Sequence, residues 1–302
     1  MDDRLKKFAV LVERGSFTHA AEDLHISQPA LSLAIEKLER ELKTLLVIRG
    51  RRLELTDAGR IVYETAVHHR TADENLRVRL AELAHRRPRV RVGMIDSVAE
   101  ALNDAAEPLD RLEEQADASI TVNNSRYLRA AVENREIDLA FVVHENATHP
   151  RLDVRPIGTE PFVLVCRPDR LDGFQAGLKA GELADFICYD RHSTTYGHLH
   201  DGLTELGIAI RPALYSTNPD IMLNTVLRGR GIAALPYLLT RDLLKTNQLA
   251  ALERRGQRLT IDCPLDAVRL RGRLLPGVLE DFSARTETVL GRHCLPGRQT
   301  KG

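Results

Sequence analysis

The sequence predicts an α/β protein that carries a small helical, winged module at its N-terminus. Three patterns support this fold class: two capped amphipathic helices within residues 16–42, one continuous helical pattern over 57–85, and alternating strands and helices from residue 89 onward. We therefore expect a winged helix-turn-helix domain in residues 1–60, a linker helix in 61–88, and an α/β domain in 89–302.

Capping signals define the helix-turn-helix. Gly15 ends a first helix over residues 4–14, Ser16 is placed to cap the second helix, and Ser27 the third. Pro29 falls in the first turn of the third helix, where a missing N–H group costs nothing. The spacing predicts that this helix buries one apolar face, made of Leu31, Ile35, Leu38 and Leu42.

The opposite face of the third helix begins with polar side chains that suit base edges in a DNA groove. Glutamine can bond adenine in a bidentate manner, and serine can serve several bases. Residues 46–56 then predict a β-hairpin wing with a Gly-Arg-Arg tip, whose arginines would lie beside phosphates or in a minor groove. A solvated hairpin with ordinary surface charge is the alternative.

The connecting helix has apolar and small side chains at three- and four-residue steps. Thr56 is placed to cap this helix. The apolar and small side chains form a continuous seam along one face, which could pair with the same helix of a second chain. Packing against the chain's own body is the alternative. The seam comprises Val62, Thr65, His69, Ala72, Leu76, Leu80 and Leu83.

The C-terminal body alternates strands and helices, and its apolar strand over 137–143 is typical of a strand buried on both faces. A single helix is expected over 97–115. The order of elements predicts a first lobe from 89–160 and 264–290 and a second lobe from 161–263. Two such lobes form a cleft that can bind a ligand and close by hinge motion.

Ligands of open α/β sheets bind at the carboxyl ends of strands, near helix N-termini. Hydroxyl and backbone N–H groups there suit an anion, whereas Asp96 would repel an anion and favour an amine. An effector with both charges, such as an amino acid, is one candidate, and ordinary helix caps are the alternative explanation. The predicted ligand contacts are Asp96, Ser97, Asn124, Ser125, His192, Ser193, Thr194, Thr195 and Thr217.

Composition excludes several classes of function. The formal net charge is zero, so DNA contact would need a local basic patch, and no apolar run approaches the length that spans a bilayer. The charged N-terminus is unlike a signal peptide, and the cysteines form no CxxC pair, which favours a reduced, cytoplasmic protein. We find no GxSxG, HExxH or P-loop motif, so we expect no catalytic residue and no cofactor. The cysteines are Cys166, Cys188, Cys263 and Cys294.

A local group of carboxylate and imidazole side chains matches no standard zinc spacing, so we expect a solvated loop there and no metal. The cysteines of the second lobe are expected to be buried thiols, although two of them could meet as a redox switch. The group comprises Asp190, His192, His198, His200 and Asp201.

The N-terminal motifs resemble the winged helix-turn-helix of the LysR-type transcriptional regulators. The carrying residues are 15–18, Ala20-Ala21, 27–32, 37–39, Arg49 and 55–59. Leu33 and Glu36 depart from positions that are often basic or amide in the family, and Val47 replaces a frequent Phe. With the resemblance included, the predicted DNA contacts are Thr18, Ser27, Gln28, Pro29, Ser32, Leu33, Glu36, Arg49, Arg51 and Arg52.

The body is also similar to this family, at residues 90–93, 136–140 and 227–236. The resemblance implies an effector-binding domain of the periplasmic-binding-protein type. It also implies a DNA-binding regulator that recognises an operator with dyad symmetry, as a dimer or as a tetramer built from two dimers. A small-molecule effector, an amino acid or an organic acid, would alter operator binding and bending, and RNA polymerase is a further candidate partner. No membrane partner is expected.

Two alternatives remain at this point. A regulator of the same class could respond to a metal or to oxidation. A solute-binding protein would explain the C-terminal body alone, but it would need a signal peptide and would not carry the N-terminal module.

Overall fold

The computed structural model describes residues 3–49, 53–84 and 87–292, and it divides into two compact units. The first unit holds the N-terminal module, the long helix and Gly272–Leu274; the second holds the rest. The helices are α1 (Asp3–Arg14), α2 (Phe17–Asp23), α3 (Gln28–Leu42), α4 (Asp57–Leu83), α5 (Asp96–Ala105), α6 (Glu107–Gln115), α7 (Ser125–Glu133), α8 (Leu171–Ala180), α9 (Thr194–Glu205), α10 (Pro219–Leu227), α11 (Tyr237–Lys245) and α12 (Gly277–Arg292). The strands are β1 (Val47–Arg49), β2 (Leu53–Leu55), β3 (Arg89–Met94), β4 (Asp117–Val122), β5 (Leu139–Val143), β6 (Leu152–Cys166), β7 (Glu182–Tyr189), β8 (Ala209–Ser216), β9 (Ile232–Pro236), β10 (Ala250–Ala251), β11 (Glu253–Arg254), β12 (Gln257–Arg258) and β13 (Thr260–Leu270).

The helix-turn-helix forms where the caps predict it. The Ser16 hydroxyl accepts from the N–H of His19, and the Ser27 hydroxyl accepts from that of Ala30. Leu31, Ile35 and Leu38 are buried as predicted, together with Phe8 and Leu11 of α1. The prediction for Leu42 was wrong: it is 43% exposed, because α3 ends there and the chain turns away through a left-handed residue at position 43.

The wing is anchored to α3 and α4 by polar contacts. Glu39 accepts from the N–H groups of Leu46 and Val47 at 2.7 and 3.2 Å, which holds β1 against α3. Thr56 caps α4 by accepting from Gly59 N–H, and its hydroxyl donates to Leu45 O at 2.7 Å. A Cβ atom at Gly59 would lie 2.0 Å from Leu46 O, so only glycine allows α4 to start this close to β1.

The long helix α4 spans 27 residues and leaves much of the predicted seam uncovered. Leu76, Leu80 and Leu83 are each more than half exposed. Residue 85, the predicted helix end, lies outside the described residues.

The second unit is built around one mixed sheet with the strand order β4-β3-β5-β13-β6-β9-β7-β8 and with β10 paired to β6. The long strands β6 and β13 are antiparallel partners and belong to both halves of the sheet. β5 pairs with one half of β13, and β9 pairs with the opposite half of β6. The pairing of β6 with β13 shifts register between Leu265 and Asp266, close to the point where both strands pass from one lobe to the other.

The helix expected over 97–115 is interrupted. Ala106 has a φ of 52°, which separates α5 from α6, and Pro108 follows near the start of α6. Proline has no N–H group for a continuous helix but is tolerated in a first turn, so the chain starts a new helix instead.

None of the helices in the described ranges is both long enough and apolar enough to cross a bilayer.

Candidate functional site

A cleft of about 160 Å³ lies at the carboxyl ends of strands in the second unit. The loops after β3 and β4 contribute from the first lobe, and those after β7 and β8 contribute from the second. All nine predicted ligand contacts line this cleft: Asp96, Ser97, Asn124, Ser125, His192, Ser193, Thr194, Thr195 and Thr217. Residues up to 121 positions apart (96 to 217) are thus brought to one place.

Several of these side chains also have a structural task. Asn124 caps α7 through Tyr127 N–H, and Ser193 caps α9 through Tyr196 N–H. The Ser125 hydroxyl accepts from Val143 N–H at 3.0 Å, which ties the start of α7 to the end of β5. The cap explanation therefore holds for Asn124 and Ser193, whose side-chain oxygens are already engaged.

The second-lobe wall includes the first residues of α9. Ser193 satisfies the N–H of Tyr196, whereas the first N–H groups of α9, at Thr194 and Thr195, have no acceptor within the helix. The backbone N–H groups and the two threonine hydroxyls give this wall hydrogen-bond donors from which a carboxylate can accept.

The lobes touch at the cleft. From the first lobe, the Arg126 guanidinium donates to the backbone oxygen of His192 at 2.6 Å. A second contact joins His198 Nε2 and His144 O at 2.7 Å. Arg126 was not among the predicted contacts.

Glu160, which was not among the predicted contacts, also lines the cleft; it lies on β6 and is only 4% exposed. Ser97 Oγ donates to Glu160 Oε2 at 2.9 Å. Burial raises the pKa of Glu160 to about 7, although the Ser97 hydrogen bond acts in the opposite direction. The only feature of the sequence that could have indicated a role for Glu160 is that a single acidic residue precedes an apolar strand segment.

Phe162 and Tyr189 form an apolar floor, with ring centroids 6.0 Å apart in an edge arrangement. Burial, and next the Glu160 carboxyl, raise the pKa of Tyr189 well above its usual value, so its phenol stays neutral. Burial also raises the pKa of Asp96, with a smaller contribution from Asp220.

A second candidate surface is the start of α3. Its predicted contacts Gln28, Pro29, Leu33 and Glu36 are exposed, as is Thr18 on α2; Ser27 is the N-cap. Ser32 is half-buried, and its hydroxyl donates to Glu36 at 3.3 Å. Arg40, which was not predicted, lies one turn beyond Glu36 and adds a positive charge to this face. Arg51 and Arg52 lie outside the described residues, as does the side chain of Arg49.

The group of carboxylate and imidazole side chains in residues 190–201, for which a solvated loop was expected, is partly helical. His198 and His200 lie on α9 rather than in the expected loop, and His198 is engaged with a backbone oxygen. Across the described residues, no group of three or more histidine, cysteine or acidic side chains is placed to hold a metal ion.

Two family models match the chain: the lysR-family bacterial regulatory helix-turn-helix protein over residues 3–60, and the LysR substrate binding domain over 83–290. The chain belongs to the LysR family. This LysR-family protein is a transcriptional regulator with a DNA-binding helix-turn-helix and an effector-binding domain. The prediction of its fold class is confirmed.

Relatives of this LysR-family regulator match it over most of its length. The RuBisCO operon transcriptional regulator of Allochromatium vinosum is 26% identical over 263 residues, which are 84% of this chain and 85% of that protein. ArgP from Mycobacterium tuberculosis has a TM-score of 0.67 at 19% identity, covering 95% of this chain and 96% of that one. LysG from Corynebacterium glutamicum, solved with its effector Arg bound, has a TM-score of 0.63 at 18% identity, covering 94% and 97%. At such identities the two structures indicate a shared fold.

Proposed function

We propose that a small polar molecule binds in the cleft of the second unit and changes how this regulator binds its operator. The observation that carries the proposal is the convergence of all nine predicted contacts on one cleft that both lobes line. The ligand would contact both lobes, so its binding would favour the arrangement in which they are closed around it.

The DNA contacts would come from the start of α3 and from the wing. Gln28 would read a base edge, and Ser32 would do so after exchanging its Glu36 partner for DNA. Arg40 would lie next to the phosphates. Because Glu36 repels phosphate, the affinity for non-specific DNA would be modest.

Pairing of chains would come from α4. Its uncovered leucines supply an apolar stripe that a second copy of the helix can bury, and an operator with dyad symmetry follows from a two-fold dimer. Ile120 and Val122 on the edge strand β4 are each 45% exposed, which offers a second apolar surface for joining two dimers into a tetramer.

Effector binding would then shift an equilibrium between arrangements of this assembly and alter the spacing of the winged modules and the bend of the DNA. We place this activity in the bacterial cytoplasm, where the operator and RNA polymerase are found. We assign the chain no catalytic role, because its relatives are regulators and the cleft is explained by ligand binding.

Response to oxidation is a less favoured variant of this function. Burial raises the pKa values of Cys166 and Cys188 to about 11, and that of Cys263 further still. Such thiols form little thiolate, which is the reactive species. Cys294 lies outside the described residues.

The test is a thermal-unfolding screen with amino acids, organic acids, aromatic acids and divalent metals, followed by operator-binding assays with each hit. A ligand at a hundred times its Kd adds about 2.7 kcal/mol of stability. At about 2–4 °C per kcal/mol, this raises Tm by roughly 5–10 °C. We expect Thr194→Val to reduce this shift and Thr204→Val, on the same helix but outside the cleft, to keep it.

A hit that changes operator binding and depends on Thr194 supports the proposal. A hit whose shift is unchanged in both Thr194→Val and Thr195→Val would contradict it, because the ligand would then bind elsewhere.

A further inference from the structure

Glu160 is an acidic side chain at the bottom of the cleft. It lies on β6 opposite Cys263 of β13, where the chain passes from one lobe to the other. Its Oε2 accepts from Ser97, whereas its Oε1 has no hydrogen-bond donor among the described residues. Because Glu160 lines the cleft, this oxygen is available to a ligand.

Acidic side chains outnumber basic ones among the described residues that line the cleft. Its lining includes three carboxyl side chains, Asp96, Glu160 and Asp190, against the single guanidinium of Arg126. Arg126 already donates to the His192 carbonyl, and Asp190 accepts from His192 N–H at 2.9 Å. Asp96 and Glu160 therefore place carboxyl groups on the first-lobe side, and when these are ionised they favour a ligand group that carries positive charge or hydrogen-bond donors.

The second-lobe wall of the cleft favours a negatively charged group of the ligand. Thr194 and Thr195, which line the cleft, begin a 12-residue helix and so lie at its positive end. A cavity of about 160 Å³ lies between the two walls. A dry protein cavity of about 150 Å³ holds a molecule the size of benzene, so the ligand here must be similarly small.

We propose that the cleft selects a small acid that also carries a protonated amine, with the ammonium group at Glu160 and the carboxylate at Thr194 and Thr195. Glu160 is then the residue that determines specificity for the amine. This inference rests on the proposed function of the cleft as the effector site.

The arrangement gives the second oxygen of this buried carboxyl a hydrogen-bond partner. An ammonium group at Oε1 would replace the hydration that Glu160 loses on burial, and it would favour the ionised carboxylate. Without the ammonium group, Glu160 keeps its proton up to a pH of about 7. Binding of the amine therefore requires Glu160 to lose its proton, and affinity should rise with pH.

The test uses acids of three to six carbons in matched sets: at five carbons, pentanoate, L-norvaline, 5-aminopentanoate and glutarate. Isothermal titration calorimetry of the full chain at pH 8 should show at least one amine-bearing acid binding ten times more tightly than its amine-free partner. Glu160→Gln should abolish this difference, and Glu205→Gln, an exposed control on α9, should keep it. Between pH 8 and pH 6 the wild-type affinity should fall about tenfold, since the pKa of free Glu160 is about 7.

Three results would overturn the inference. One is that no amine-bearing acid binds, and another is that the amine preference persists in Glu160→Gln. The third is that glutarate or another dicarboxylate binds more tightly than the amine-bearing acids in a manner that depends on Thr194. This third result would leave the cleft as the effector site, whereas binding that is unaffected by every cleft variant would refute the proposed function itself.

Discussion

Replacing Glu160 with glutamine should stabilise the effector-free protein at alkaline pH. The amide has the shape of the carboxyl group and can still accept the Ser97 hydrogen bond, but it never ionises. In the wild-type protein, the pKa of Glu160 is raised from 4.5 to about 7, because burial disfavours its charge. Stability that the neutral carboxyl provides below pH 4.5 is therefore lost as the pH rises through 7.

The size of the effect follows from the two pKa values. A shift from 4.5 to about 7 corresponds to a total of about 3 kcal/mol. Proton linkage places roughly 2 kcal/mol of this loss between pH 5.5 and pH 8.5. For a domain of about 200 residues, this is a Tm difference of roughly 4–8 °C.

Thermal unfolding should be followed by circular dichroism at pH 5.5, 7 and 8.5 for the wild type, Glu160→Gln and the exposed control Glu205→Gln. The Tm of Glu160→Gln should exceed that of the wild type by an amount that grows with pH, whereas Glu205→Gln should follow the wild type. Parallel pH profiles for the wild type and Glu160→Gln would show that Glu160 does not ionise with a raised pKa, and would refute the reasoning.

Two further predictions concern DNA and assembly. Gln28→Ala should lower the ratio of specific to non-specific DNA affinity by about 1–3 kcal/mol, because a bidentate base contact is lost. Fluorescence anisotropy measures both affinities. The control Gln257→Ala, at an exposed glutamine on β12, should leave this ratio unchanged. Equal losses of affinity on all DNA sequences would argue against base reading by Gln28. Leu80→Glu should weaken self-association at least tenfold in sedimentation equilibrium, because the exposed leucine stripe of α4 is proposed to be buried between two chains and the charge would enter that contact. An unchanged association constant would remove α4 from the dimer interface.

The N-terminal module could be predicted from the sequence almost element by element. Its signals are local: Ser27 caps a helix whose N–H groups lie three residues away, and Leu31, Ile35 and Leu38 share a face through the helical period alone. Leu42 was mispredicted because periodicity does not indicate the residue at which a helix stops.

The loops that line the cleft could also be predicted from the sequence, because ligands bind at the carboxyl ends of parallel strands in open α/β sheets. That rule selected Asp96, Thr194 and Thr217 without knowledge of their distances, and the structure brings them to one cleft.

The pKa and the hydrogen bonding of Glu160 were decided by the tertiary structure alone. Its pKa depends on the water that β6 and β13 exclude, and its one hydrogen-bond donor, Ser97, lies 63 residues earlier in the chain. Helical and strand periods describe neighbours within a few residues, whereas desolvation and charge depend on every atom within several ångströms, whatever its place in the chain. The sequence by itself therefore determined the modules and the edge of the sheet where we propose that a ligand binds, and only the folded chain determined which acidic side chain is buried at that edge.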